Sequence, residues 1–203
     1  MSILVLKSSA SGQASVSNRL VDALVARLTG AGSGPVHERD LDREPLPHLD
    51  QRRVAGVRAQ AATPAETAAA RLSDDLVEEL RAASALVIGA PMYNFSLPTT
   101  LKAWFDHVLR PRVTFTYTAE GPQGLVGEKP VFVVLSRGSV YSDPARLALD
   151  FQEPYLAQLL AFIGLRDVTF IRAEGIGLGP EARETAIAQA LAEIEARIPV
   201  LQP

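Results

Sequence analysis

Four short apolar runs and a weaker one at 36–41, each followed by residues at helical spacing, constrain this 203-residue chain more than any other feature it has. Residues 3–6, 36–41, 85–90, 131–135 and 168–171 read as strands. After the first, Leu20, Val21, Leu24, Val25 and Leu28 fall on one helical face. Leu72, Leu76, Val77 and Leu80 do the same, as do Leu101, Trp104, Phe105 and Val108 further on. Leu156, Leu159, Leu160 and Ile163 mark a fourth helix, and Ile187, Leu191, Ile194 and Ile198 a fifth. Strands that are apolar throughout, rather than alternating, belong to a parallel sheet covered on both faces. Right-handed crossovers leave few topologies. We expect a three-layer α/β structure with a five-stranded parallel sheet in the order 2-1-3-4-5 and helices on both faces. That order opens a crevice beyond the ends of strands one and three, where ligands bind such sheets. Hydrophobic residues make up 47% of the sequence, enough for one domain over residues 1–203 with a full core.

Local signals refine this outline. Thr63-Pro64-Ala65-Glu66 is a capping box with proline at the first helical position. Pro98 opens the helix after strand three, and Asp143-Pro144 is expected to cap the helix after strand four. The polar stretch 42–62 reads as a long surface connection. Residues 113–118 alternate, and Gly121, Pro122 and Gly124 make turns after them, so a hairpin-like excursion is expected. Gly175-Ile-Gly-Leu-Gly179 reads as a loop and helix cap.

Several functions are excluded early. The net charge is −3 and no basic stripe is present, so nucleic acid is not an expected partner. With no cysteine there can be no disulfide, thiolate metal site or cysteine nucleophile. His37, His48 and His107 are scattered and have no metal-ligand spacing. No run reaches the ~18 apolar residues of a membrane span, and the start lacks a signal-peptide core. The expectation is a cytoplasmic protein with no membrane partner, no metal and no catalytic side chain of its own.

The loops at the expected crevice are the unusual ones. Ser8, Ser9, Ser11, Ser15 and Ser17 stand with Gly12 between strand one and helix one. A helix start offers unpaired N–H groups and partial positive charge to an anion, and hydroxyls add donors. One serine suffices for a cap, so five point to a phosphate. No Walker lysine and no G-x-G-x-x-G accompany them. After strand three, Met92, Tyr93, Asn94 and Phe95 form an apolar, aromatic loop with one amide, suited to a flat ring. A flat ring with one phosphate suggests flavin mononucleotide (FMN). Ser136-Arg-Gly-Ser139 follows strand four; Gly138 lets backbone approach a ligand, and Arg137 reads either as positive charge near a reduced flavin or as a solvated arginine.

At these residues the chain resembles the FMN-dependent NADH:quinone oxidoreductase and azoreductase family. The resemblance runs through Ser8-Ser9, Ser17-Asn18, Ala90-Pro-Met-Tyr-Asn-Phe95, Val113-Thr-Phe115, Ser136-Arg-Gly138, Pro154-Tyr-Leu156 and Phe162-Ile-Gly164. It implies a flavodoxin-like fold and a homodimer with one FMN per subunit near the interface. Ser9, Ser15, Val16 and Ser17 would meet the phosphate, and Met92, Tyr93, Asn94 and Phe95 the ring. Ser136, Arg137, Gly138 and Ser139 would lie along the pyrimidine edge. Tyr117 and Phe162 would line the substrate side, Phe162 from the partner chain. The implied activity is two-electron ping-pong transfer from NADH or NADPH to quinones and azo compounds. The competing reading is a flavodoxin-like electron carrier or flavin-binding regulator without turnover. Ser139 departs from a common family glycine, and Tyr141 from a histidine of some relatives.

Overall fold

The computed structural model describes residues 2–30 and 34–198. Five parallel strands run in the order β2 (Val36–Asp40), β1 (Ile3–Lys7), β3 (Ala85–Pro91), β6 (Val131–Arg137) and β7 (Val168–Glu174). This is the expected 2-1-3-4-5 order, with a separate antiparallel hairpin of β4 (Phe115–Thr118) and β5 (Gly121–Gly124) inserted before the fourth core strand. One sheet face carries α3 (Pro64–Ala82), α4 (Thr99–Val108) and α5 (Glu153–Phe162); the other carries α1 (Val16–Thr29) and α6 (Pro180–Arg197).

Strand parity sorts the core. Leu4, Leu6, Leu86, Ile88, Val131, Val133 and Leu135 pack under α3, α4 and α5. Ile3, Val5, Ala85, Val87, Phe132 and Val134 pack under α1 and α6. Trp104 and Phe105, edge to face with centroids 5.1 Å apart, fill the first of these cores. The Thr63 capping box forms as expected, with the Glu66 carboxylate accepting the Thr63 amide at 2.9 Å. β2 is an edge strand with exposed residues, which explains its weaker apolar pattern.

The structure corrects three expectations. Strands four and five end at Arg137 and Glu174 rather than at Leu135 and Ile171. Their polar tips still find ladder partners, Ser136 with Pro91 and Ala173, and Arg137 with Glu174, because backbone pairing does not depend on side-chain polarity. Asp143 does not cap α5. Its carboxylate accepts the Ala145 amide in a turn, and Asp150 instead accepts the amides of Gln152 and Glu153 at 3.0 Å. The stretch 42–62 contains a short helix, α2 (Val54–Arg58), and buries Leu46 and Val57. It also covers the end of α4: Pro47 O meets His107 Nε2 at 2.9 Å, and Arg58 donates to Leu109 O at 2.8 Å.

Helices antiparallel to the strands return the chain to the edge where strands begin. The β4–β5 hairpin docks there, on the end of α5. Val126 N donates to Ile163 O at 3.2 Å, and a Cβ on Gly124 would stand 2.1 Å from Gly164 N. Gly124→Ala should therefore destabilise by about 1–3 kcal/mol, the range for overpacking a tight contact, measured as a drop in urea midpoint at unchanged slope.

His107 is fully buried, and burial holds its pKa below the ordinary histidine value despite the bond to Pro47 and the nearby Asp106. Below about pH 6.5 the unfolded chain takes up a proton that the folded one refuses. Stability from this group is thus complete above that pH and declines as pH falls. Urea unfolding at pH 7.5 and 5.5 should show the loss, reduced in His107→Gln, which keeps a donor for Pro47.

Candidate functional site

The crevice beyond β1 and β3 is built by the two loops read as unusual. Ser8 Oγ donates to Gly89 O at 2.7 Å, so β1 is tied to β3 before the loops diverge. Tyr93 then joins them: its hydroxyl accepts the Ala10 amide at 3.0 Å and lies 3.5 Å from Ser9 Oγ, which accepts the Ser11 amide at 3.3 Å. Ser15 caps α1 by accepting the Asn18 amide at 3.1 Å, and its hydroxyl lies 3.1 Å from that of Ser17. The first-turn amides of Val16 and Ser17 have no acceptor among the described residues. Ser9, Ser15, Val16 and Ser17 are all buried, so these donors are shielded from bulk water. These are backbone and hydroxyl donors with no cation among them, the kind of donor set a helix start offers to an anion. A cavity of about 790 Å³ on the β1–β2 side of the same helix start is lined by Asp22, Glu38, Asp40 and Asp42 against Lys7, Arg19 and Arg43. Gly12 and Ser15 line it as well, and its excess of carboxylates disfavours a phosphate within it.

The second loop is a tight turn. Tyr93 and Ser96 exchange backbone bonds of 3.0 and 3.1 Å, and the two residues between them, Asn94 and Phe95, have φ of +48° and +71°. Such a turn favours Asn-Gly; phenylalanine at the second place is strained, a cost that concentrates at functional sites. The result presents Tyr93, Asn94 and Phe95 to solvent as an open wall, with Met92 half-buried behind them. Met92 N donates to Ser136 O at 2.8 Å, which fixes the turn to the tip of β6.

That tip differs from expectation. Arg137 neither faces a ring nor stands in solvent. Strand parity turns it toward α5, where it is 1% exposed and meets Asp150 at 3.0 Å, Glu174 at 3.1 Å and Glu153 at 3.3 Å. Its Nε donates to Gln152 Oε1 at 3.2 Å, and Gln152 Nε2 donates to Ala90 O at 3.0 Å. Burial raises the Glu174 carboxyl pKa, but hydrogen bonds from Ser142 and the Tyr141 amide, together with Arg137, more than reverse this and hold it low. Three strand ends and the start of α5 are thereby locked together. Ser136 is buried; Gly138 and Ser139 line the rim, and no described atom lies within 4 Å of where a Gly138 Cβ would stand. The 175–177 segment braces them, Gly177 N donating to Gly138 O at 2.9 Å and Gly175 N to Ser139 O at 3.1 Å. Gln152, Asp150, Glu153 and Glu174 were not singled out from the sequence. Their only signal was the odd-numbered register that aims Arg137 at α5.

Tyr117 and Phe162 are not brought to these loops. They cluster with Phe115, at centroid distances of 5.7 Å to Tyr117 and 4.5 Å to Phe162, on the edge where strands begin. A seven-residue strand such as β6 places that edge about 20 Å from the crevice. Among the described residues no cluster fits a metal ion, and no helix is long and apolar enough to cross a membrane.

The family described as "Flavodoxin-like fold" matches residues 1–198. The chain belongs to it. A relative from Hyphomonas neptunium named FMN-dependent NADH:quinone oxidoreductase is 52% identical over 193 residues, 95% of this chain and 93% of the relative. A Pseudomonas aeruginosa protein, FMN-dependent NADH:quinone oxidoreductase 3, is 46% identical over 93% of this chain and 88% of its own length. Among solved structures, azoreductase AzrA superposes with a TM-score of 0.87 at 28% identity, covering 97% of this chain and 98% of that one.

Removing Arg137 would leave three carboxylates facing one another. Arg137→Met should lose about 3–5 kcal/mol, the cost of breaking a buried charge network, in urea unfolding at pH 7.

Proposed function

We propose that this protein is an FMN-dependent oxidoreductase that takes electrons from NADH or NADPH and reduces quinones and azo compounds. The observation that carries the reading is the junction of a cation-free donor set with an open aromatic turn through Ser9, Ala10 and Tyr93. Ser9, Ser15, Val16 and Ser17 hold the phosphate. Met92, Tyr93, Asn94 and Phe95 flank the ring, and Ser136, Gly138 and Ser139 lie along its pyrimidine edge. Arg137 contributes backbone there, while its side chain keeps the edge rigid. Bound FMN supplies the two-electron relay, so that donor and acceptor use the same space in turn. The protein's part is position and dipoles: preorganised amides favour charge as it develops. The names borne by relatives at 52% and 46% identity favour turnover over a carrier or regulator.

A homodimer completes this reading. Tyr117, 72% exposed, and Phe162 lie too far from their own crevice to cover it, but a partner could bring them over. The purified protein should be yellow, with flavin absorbance bands, and initial rates with NADH and a naphthoquinone should give parallel double-reciprocal lines. Ser17→Ala and Asn94→Ala should each raise the FMN dissociation constant about 5–10-fold, the scale of a net hydrogen bond of about 1 kcal/mol or more. Calorimetry showing unchanged affinity in both would remove these residues from the site. Sedimentation at micromolar concentration should find the dimer.

A further inference from the structure

The charge expected of Arg137 is absent from the crevice rim, but another guanidinium stands there. Arg146 lies on the exposed turn after β6 and donates through Nη1 to Ser139 Oγ. Its backbone is pinned too, its amide donating to Asp143 O at 2.8 Å. No carboxylate lies within 4 Å of the Arg146 side chain among the described residues. This sets it apart from Arg137 and Arg172 on the neighbouring strand tips, which are paired with acids. Tyr141, two residues on from Ser139, meets Phe95 edge to face with centroids 6.3 Å apart, and both retain exposed surface. Gly138, next to Ser139, has open space where a Cβ would stand.

An uncompensated cation held at Ser139, two residues from an aromatic pair, has an obvious complement. We propose that Arg146, tethered by Ser139, selects acceptors that carry an anionic group, a sulfonate or carboxylate, on an aromatic quinone or azo frame. This rests on the oxidoreductase reading above. The aromatic frame packs against Phe95 and Tyr141, while the anion meets the guanidinium, whose planar fork suits both oxyanions. The contact is open to water, so its strength should be that of a modest charge-assisted bond and should weaken with salt.

The test compares 1,2-naphthoquinone with 1,2-naphthoquinone-4-sulfonate as acceptors for the holoenzyme and for R146Q and S139G. In a ping-pong scheme kcat/KM for the acceptor reports only the oxidative half, so effects on the anionic donor drop out. R146Q should lower kcat/KM for the sulfonate about tenfold, the low end for a hydrogen bond to a charged group, and change the neutral quinone less than about twofold. S139G should give a smaller loss in the same direction. Calorimetry on oxidised holoenzyme should show the same order of losses in affinity for anthraquinone-2-sulfonate. Equal changes for both quinones in R146Q would overturn the proposal, because the charge would then act on the flavin or the fold. No loss in S139G would overturn the tether. Parent protein that binds no flavin, or reduces neither quinone, would instead overturn the oxidoreductase reading on which this one stands.

Discussion

One buried positive charge holds the ligand-bearing edge of this sheet together. A guanidinium taken wholly out of water is tolerated only where acids and hydrogen-bond acceptors surround it, and Arg137 has three carboxylates and an amide oxygen. Its partners come from the end of β7 and the start of α5, and one of them reaches on to β3. Glu174 ends β7 and receives the Tyr141 and Ser142 amides; Asp150 and Glu153 start α5; Gln152 reaches back to β3. The turn at Asn94 and the rim at Gly138 are loops, yet they inherit the rigidity of a core. That is the form in which a fold can contribute to a reaction whose electron chemistry resides in a bound ring.

The broad architecture was legible because it depends on periodicity. Apolar runs at 3–6, 85–90 and 131–135 could only be interior parallel strands, and the spacing of Leu76, Val77 and Leu80 could only be a helix laid on them. Boundaries were less legible where polar residues continue an element by backbone bonding alone. Ser136 and Arg137 looked like a loop because strand pattern is carried by side chains, whereas the ladder is not. The start of α5 was misplaced for the converse reason. Asp143-Pro144 has the right chemistry for a cap, but the amides at the start of α5 bond to Asp150, which also meets Arg137.

For the site, residue type was more informative than direction. Five serines before a helix and an Asn flanked by aromatics announced what kind of surface would form, and the two loops do meet through Tyr93. Which way Arg137 pointed depended on counting parity from an uncertain strand end. The place of Tyr117 and Phe162, on the far edge from the crevice, depended on the hairpin's docking, which rests on the backbone contact of Gly124 with Gly164 and has no periodic signature.

The left-handed pair at Asn94 and Phe95 has a wider consequence. Selection for heat tolerance alone would install glycine at the second position, since a side chain there stores conformational energy. Retaining an aromatic residue sets thermal endurance against a surface already shaped before anything arrives. Lineages of this protein in hot habitats would feel that tension at this peptide unit.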